Sequence, residues 1–295
     1  MRIAVTHTTR LDYTGDVVEA VVDARLGPLS DADQRVERFE LRLDPAGQAR
    51  RYLDGFANAA HLITCHRPHS FLEIVARSQV QTYLSDPFML PGRLPPPLTP
   101  VELADALDPS PLVPRFGPVD EMAAPFRPAD PGDTFDAVKR LSEMIYHDFT
   151  YRQHVTDVGT TVEQILQGRQ GVCQDFTHLL IGLCRSLGIP ARYVSGYIVQ
   201  RDQSQAQGGG MQSQSSVPTD GAPSRGGGAS HAWVEAFTPT HGWRGFDPTN
   251  NLVANERYVK VAIGRDYSDV PPTRGTYGGG ATESLTVSVT TRVLD

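Results

Sequence analysis

Cysteine is scarce in this chain: three thiols, Cys65, Cys173 and Cys184, stand among 295 residues. An odd number at wide spacing excludes a disulfide framework, so each thiol must sit in a core, bind metal or react. A basic excess is missing too. Lys plus Arg is 27 against 34 Asp plus Glu, a formal net charge of −7. That is the wrong sign for a phosphate-gathering surface, so neither nucleic acid nor a membrane is an expected partner. No run approaches the roughly 18 apolar residues that a membrane span needs. The opening residues 1–7 show no apolar stretch and no small-residue cleavage site, so no secretory signal is read there and the expected address is cytoplasmic. Internal repeats are absent, as is any Asp/Asn-rich run with EF-hand spacing, and no metal or cofactor is expected.

What the chain does have is the composition of a soluble globular protein, 39% hydrophobic and 21% charged. Its length exceeds what one compact core usually holds, which predicts two domains. Residues 1–85 read mostly as strands. Ile3, Val5 and His7 alternate with Ala4 and Thr6, a Val-rich run follows Gly15, and further period-2 stretches cover residues 36–43 and 71–80. An N-terminal β-sandwich-like domain is the expectation. Residues 86–132 then hold most of the prolines: thirteen of 23 lie between Pro87 and Pro131, where no long helix or central strand could continue. This predicts a Pro-rich connector with a short helix over 99–106.

From residue 133 to 295 the pattern predicts an α+β core that ends in a last alternating strand at 285–290. Phe135, Val138, Leu141, Ile145 and Phe149 recur three to four apart, as on one helix face. Thr160 and Glu163 have capping-box spacing and predict a second helix start. A third helix carries Cys173, Phe176, Thr177, Leu180, Leu183, Cys184 and Leu187 on one face and stops at Gly188-Ile189-Pro190. Strands are expected at 192–199, 231–237 and 242–247. The intervening 200–229 stretch, rich in Gly, Gln and Ser, cannot bury a core and reads as a loop, either a lid or passive surface.

Three residues of this half fit together as nucleophilic catalysis. Cys173 falls at a predicted helix N-terminus, where free backbone N–H groups and the helix dipole favour a thiolate and could receive an oxyanion. His231 opens one strand and Asp247 ends the next. If the two pair through a turn at 238–242, the carboxylate lies beside the imidazole. Cys, His and Asp then supply a nucleophile, a base and an orienting acceptor.

The residues around this trio sharpen the reading. Gly171-Val172-Cys173-Gln174-Asp175-Phe176, Leu187-Gly188-Ile189-Pro190-Ala191-Arg192-Tyr193, Ser230-His231-Ala232-Trp233-Val234-Glu235 and Gly242-Trp243-Arg244-Gly245-Phe246-Asp247-Pro248-Thr249-Asn250 closely resemble the core motifs of the transglutaminase-like superfamily. The resemblance spans about residues 134–270. It implies a papain-like fold and a catalytic triad at Cys173, His231 and Asp247. More loosely, Asp54-Gly55-Phe56-Ala57-Asn58 and Pro68-His69-Ser70-Phe71-Leu72 resemble the N-terminal β region of bacterial members.

Other candidates carry blander readings. Tyr151 and Gln170 are possible oxyanion donors, and Trp233 and Trp243 are candidates for the walls of a substrate cleft, although paired-strand aromatics are usually core. Cys184, about 16 Å along the helix from Cys173, is read as core and cannot bridge to it. His61, Cys65, His66 and His69 match no familiar zinc set. His178 is read as structural and His241 as a turn residue. The expected substrate is a peptide or protein amide. Attack on it gives a thioester resolved by water, as in a cysteine protease or amidase, or by an amine, as in a transglutaminase. A non-catalytic binding module is the remaining alternative, and no oligomeric state is assigned.

Overall fold

The structure is a computed structural model that describes residues 1–199 and 230–294. The 200–229 insertion lies outside the described residues. Six strands come first: β1 (Arg2–Val17), β2 (Glu19–Gly27), β3 (Gln34–Asp44), β4 (Gln48–Leu53), β5 (Ala59–Cys65) and β6 (His69–Thr82). Their period-2 patterns bury alternate side chains, as along β1, where Ile3, Val5, His7, Thr9 and Leu11 turn inward.

Helices α1 (Pro100–Leu107) and α2 (Gly117–Ala123) interrupt the Pro-rich stretch, and α3 (Thr134–Asp148) follows. Thr99 caps α1 by accepting from the Glu102 amide, and Glu102 reaches back to the Thr99 amide. Proline signals gave no hint of α2, which lays Val119 against Gly182 of a later helix. Next come β7 (Thr150–Tyr151), α4 (Val162–Gly168), β8 (Gln170–Gly171) and α5 (Cys173–Ser186). The box that opens α4 is Thr161 with Gln164, one residue beyond the expected Thr160 and Glu163. Thr160 is occupied instead by a turn with Asp157. The chain finishes with β9 (Ala191–Ile198), β10 (His231–Thr238), β11 (Gly242–Asp247), β12 (Leu252–Val253), β13 (Tyr258–Gly264), β14 (Thr273–Gly278) and β15 (Glu283–Leu294).

These strands form two bodies. One is a sandwich of two four-stranded sheets, β15-β1-β6-β3 over β14-β2-β5-β4, filled by Leu11, Val17, Val22, Leu26, Ile63, Leu72 and Ile74. The other is the sheet β12-β11-β10-β9-β13 with α5 against it. Ten consecutive residues of α5, 175–184, are buried, so this helix is the centre of the second core.

The last strand departs from expectation. Instead of completing the 133–295 unit, β15 pairs antiparallel with β1 from Arg2↔Leu294 to Tyr13↔Glu283, and β14 pairs with β2. Alternation identifies a strand but does not choose its partner, and here the chain returns to close both sandwich sheets.

The two bodies meet across a well-filled surface. Ile3, Val5 and Val80 pack on Tyr197, Val199, Val259 and Val261, while buried His7 hydrogen-bonds the Tyr197 hydroxyl at 2.9 Å. A charge network sits at the same boundary. Lys260 of β13 bonds Glu235 of β10 at 3.0 Å and also Asp31 and Asp33 of the sandwich, and Arg192 holds the other Glu235 oxygen at 2.6 Å. Burial alone would raise the Glu235 pKa, but Lys260 and Arg192 outweigh it and hold it at about 2.

Lys260→Met leaves a buried carboxylate with one cation fewer. The expected loss is about 3 kcal/mol of unfolding free energy by urea titration. A carboxylate with a depressed folded pKa stabilises above its ordinary value of about 4.3 and loses that contribution as pH falls. The gap between wild type and variant is therefore widest above pH 4.3 and narrows toward about pH 2.

Candidate active site

The site is built where α5 begins. Val172 is extended and Cys173 takes the first helical position, so the thiol sits at the end where unpaired N–H groups point outward. Asp175, one turn in, reaches back to accept the Val172 amide at 2.7 Å and the Thr156 hydroxyl at 2.7 Å. That return needs a glycine at 171, because a Cβ there would stand 2.7 Å from the Asp175 Oδ2. Gln174 Nε2 donates to the Val158 carbonyl at 3.3 Å. The 152–159 loop is thereby tied to the first turn of α5.

His231 and Asp247 come from the β10–β11 hairpin. Its register, Val234↔Phe246 through Thr238↔Gly242, leaves the start of β10 beside the end of β11. His231 Nε2 lies 2.9 Å from Asp247 Oδ2, and both side chains are almost completely enclosed, 1% and 0% exposed. The carboxylate is saturated. Asn250 Nδ2 at 2.8 Å and the Tyr258 hydroxyl at 2.9 Å also donate to Oδ2, while the Thr249 and Asn250 amides donate to Oδ1. An ionised carboxylate only accepts, so Nε2 carries the proton in this bond and Nδ1 is the nitrogen left for chemistry. Nδ1 is buried and finds no hydrogen-bond partner among the described residues.

Burial by itself would lower the His231 pKa. The Asp247 charge and its hydrogen bond outweigh burial, the Cys173 sulfur adds to them, and the imidazole is raised to about 10. Cys173 is thus close enough to act on the ring. Asp247 answers in the opposite sense: burial opposes ionisation, and His231 with the other donors carries its pKa below the ordinary range. Of the three, Cys173 alone is partly open to solvent.

The remaining sequence candidates scatter. Trp233 is 1% exposed, stacked beside His231 and edge-on to Tyr258. It supports the ring from within and lines no open cleft. A Cβ at position 196 would fall 2.5 Å from this indole and 2.2 Å from the Val259 carbonyl, so Gly196 makes the slot that admits it. Trp243 pairs with Phe237, six residues along β10 from His231, or about 20 Å at strand rise, and lies under the Arg192 guanidinium. Its expected place in the cleft is corrected by that register. Tyr151 and Gln170 lie on the parallel β7–β8 pairing that leads into Cys173, and Tyr151 packs on Phe176.

Cys184 is fully buried, which pushes its thiol up to about 12. His178, also buried and lowered to about 4 by burial, accepts the Tyr267 amide at 3.1 Å. His241 stands in the hairpin turn against Phe135. Cys65 and His69 are 3.7 Å apart, but His66 turns to Glu19 and His61 stacks on Phe39. Among the described residues no three His, Cys, Asp or Glu side chains gather as a metal site.

Two partners of Asp247 escaped the sequence reading. Asn250 was signalled by its place three residues after Asp247, the spacing of an Asx-type turn. Tyr258 had no such signal, since it reaches Asp247 from β13 across the sheet.

This is an α+β fold in which a cysteine at a helix start lies near a buried histidine–carboxylate pair on an antiparallel sheet. The Transglutaminase-like superfamily profile matches residues 121–248, and that of the bacterial transglutaminase-like N-terminal region matches residues 3–81. An uncharacterized protein of Mycobacterium tuberculosis is 34% identical over 93% of this chain and 87% of its own length. One from Mycobacterium leprae is 31% identical over 99% of both. A solved structure from Cytophaga hutchinsonii, described as a candidate cysteine protease, superposes over 100% of this chain and 92% of its own, with a TM-score of 0.70 at 21% identity. The chain belongs to the transglutaminase-like superfamily.

A histidine raised by its carboxylate stabilises the fold fully below its ordinary pKa of about 6.5, and that contribution is lost as pH rises through about 10. The His231 ring signals in NMR are therefore expected to stay those of imidazolium through pH 8. In Asp247→Asn the Asp247 charge that opposes burial is gone and only the Cys173 sulfur still opposes it, so the titration is expected to fall well below that of wild type. Tyr258→Phe removes one donor to the buried carboxylate and is expected to cost about 2 kcal/mol by thermal unfolding.

Proposed function

We propose that this protein is a thiol acyl-transfer enzyme that cleaves a peptide or related amide through a Cys173 thioester. The supporting observation is the buried His231–Asp247 pair beside the half-open thiol at the start of α5. The Cys173 thiolate attacks the amide carbonyl carbon and forms the C–S bond. The carbonyl electrons move to oxygen, where the first-turn amides of α5 are suited to receive the negative charge. As the C–N bond breaks, imidazolium His231 gives its Nδ1 proton to the leaving amine. Water then attacks the thioester and His231 takes its proton; the C–S bond breaks, the acid leaves, and the Cys173 thiolate and imidazolium His231 are restored. Asp247 holds the ring through Nε2 and favours its charged form.

Hydrolysis is preferred over transamidation because the latter needs a second site that binds an acceptor amine. The triad's first half-reaction is common to both, so products decide. Glutaminyl peptides and mixed unblocked peptides, incubated with and without a fluorescent primary amine, are expected to release ammonia or new amino termini without incorporating the label. Cys173→Ala should lower the rate by at least about 10³-fold. Label incorporation that depends on Cys173 would establish a transamidase instead. Stoichiometric peptide binding with no turnover in wild type would identify a binding module.

A further inference from the structure

The sandwich has four open sheet edges, and three carry features that discourage pairing with another chain. On β3 the ladder shifts register between Val36 and Arg38, and Arg35, Glu37, Arg38, Glu40 and Arg42 crowd the strand. The β4 edge is six residues long and includes Arg50 and Arg51. The β14 edge is equally short, with Arg274 and two glycines.

The fourth edge, β15, carries charge only near its two ends, at Glu283 and Arg292. It runs for twelve residues, pairs with β1 without a register shift, and from 284 to 291 reads Ser-Leu-Thr-Val-Ser-Val-Thr-Thr, with no charge, proline or glycine. Five of its eight residues, Thr286, Val287, Val289, Thr290 and Thr291, are β-branched and favour a strand. Its inward-facing row is also poorly covered, since Leu285 is 56% exposed, Val287 38% and Val293 46%. Along the β1-free side, alternate backbone N–H and C=O groups of β15 have no strand partner among the described residues.

We propose that β15 is a self-association edge, and that two copies of this chain pair β15 to β15 antiparallel about a two-fold axis. The pairing joins two four-stranded sheets into one eight-stranded sheet. An antiparallel edge is complementary to its own copy, because a two-fold rotation presents donors to acceptors along the whole strand. With the axis at Ser288, each Ser288 faces its counterpart, Thr286 faces Thr290 and Val287 faces Val289, so like faces meet like faces. The uncharged stretch is then matched against itself. Glu283 of one copy comes to the same end as Arg292 of the other, which puts opposite charges at both ends of the joint. The catalytic residues lie in the other body, so the pairing leaves the Cys173 site open.

Sedimentation and light scattering over a range of concentrations test this. Wild type is expected to reach twice the 32.2 kDa chain mass. Thr286→Lys with Ser288→Lys places like charges across the axis and should weaken the dimer at least about tenfold, with unchanged circular dichroism. In a separate variant, Ser288→Cys should form an intermolecular disulfide under mild oxidation, because directly opposed strand residues have suitable Cα separation. Arg38→Cys on the β3 edge should not. A wild-type chain that stays at 32.2 kDa throughout, a lysine variant that dimerises as tightly, or equal cross-linking from position 38 would overturn the proposal.

Discussion

The hydrogen-bonded pair of His231 and Asp247, 2.9 Å apart and sealed from solvent, is the constraint that most of the second body serves. An uncompensated charge at that depth would be costly, so the carboxylate must be fully paired. The hairpin register, the Asp247–Asn250 turn and Tyr258 from β13 each supply a donor. Gly196 clears the space in which Trp233 backs the imidazole. With every Asp247 lone pair engaged, the ring has one orientation, and the Nδ1 left over lies toward the thiol.

The first turn of α5 is fixed by separate means. Asp175 ties the Val172 amide and Thr156 together, and Gly171 permits the close return. The nucleophile and the base therefore rest on two rigid elements, a buried helix and a sheet, and not on a loop. The sandwich adds a third support. Lys260 and Gln34 bind it to β13, the strand that also carries Tyr258. Strain at the boundary between the two bodies would thus be felt two residues from the donor that holds Asp247.

Local chemistry was readable from the residues themselves. The Gly188 stop after α5, the short helix near 99–106 and the alternation of β1 each depend on side chains close in sequence, and each element stands where it was expected. The juxtaposition of His231 and Asp247 follows in the same way, because the turn at 238–242 converts sequence spacing into register. Long-range choices were not readable. The partner of β15 is β1, nearly the whole chain away, and a period-2 pattern contains nothing that selects it. Trp233 and Trp243 look equivalent as aromatics in paired strands, yet one lies beside His231 and the other at the far end of the hairpin. Tyr258 owes its role to sheet order, which places β13 beside β9 across from the hairpin.

In the proposed reaction the buried pair acts on Cys173 and on neither of the other thiols. The most direct measurement is the rate of iodoacetamide alkylation at neutral pH, with the modified residue located by peptide mass spectrometry, in wild type and in His231→Ala. Cys173 is expected to be modified while buried Cys65 and Cys184 are spared, and the rate to fall about 10²-fold when His231 is removed. Equal rates in the two proteins, or preferential modification of Cys65 or Cys184, would contradict it.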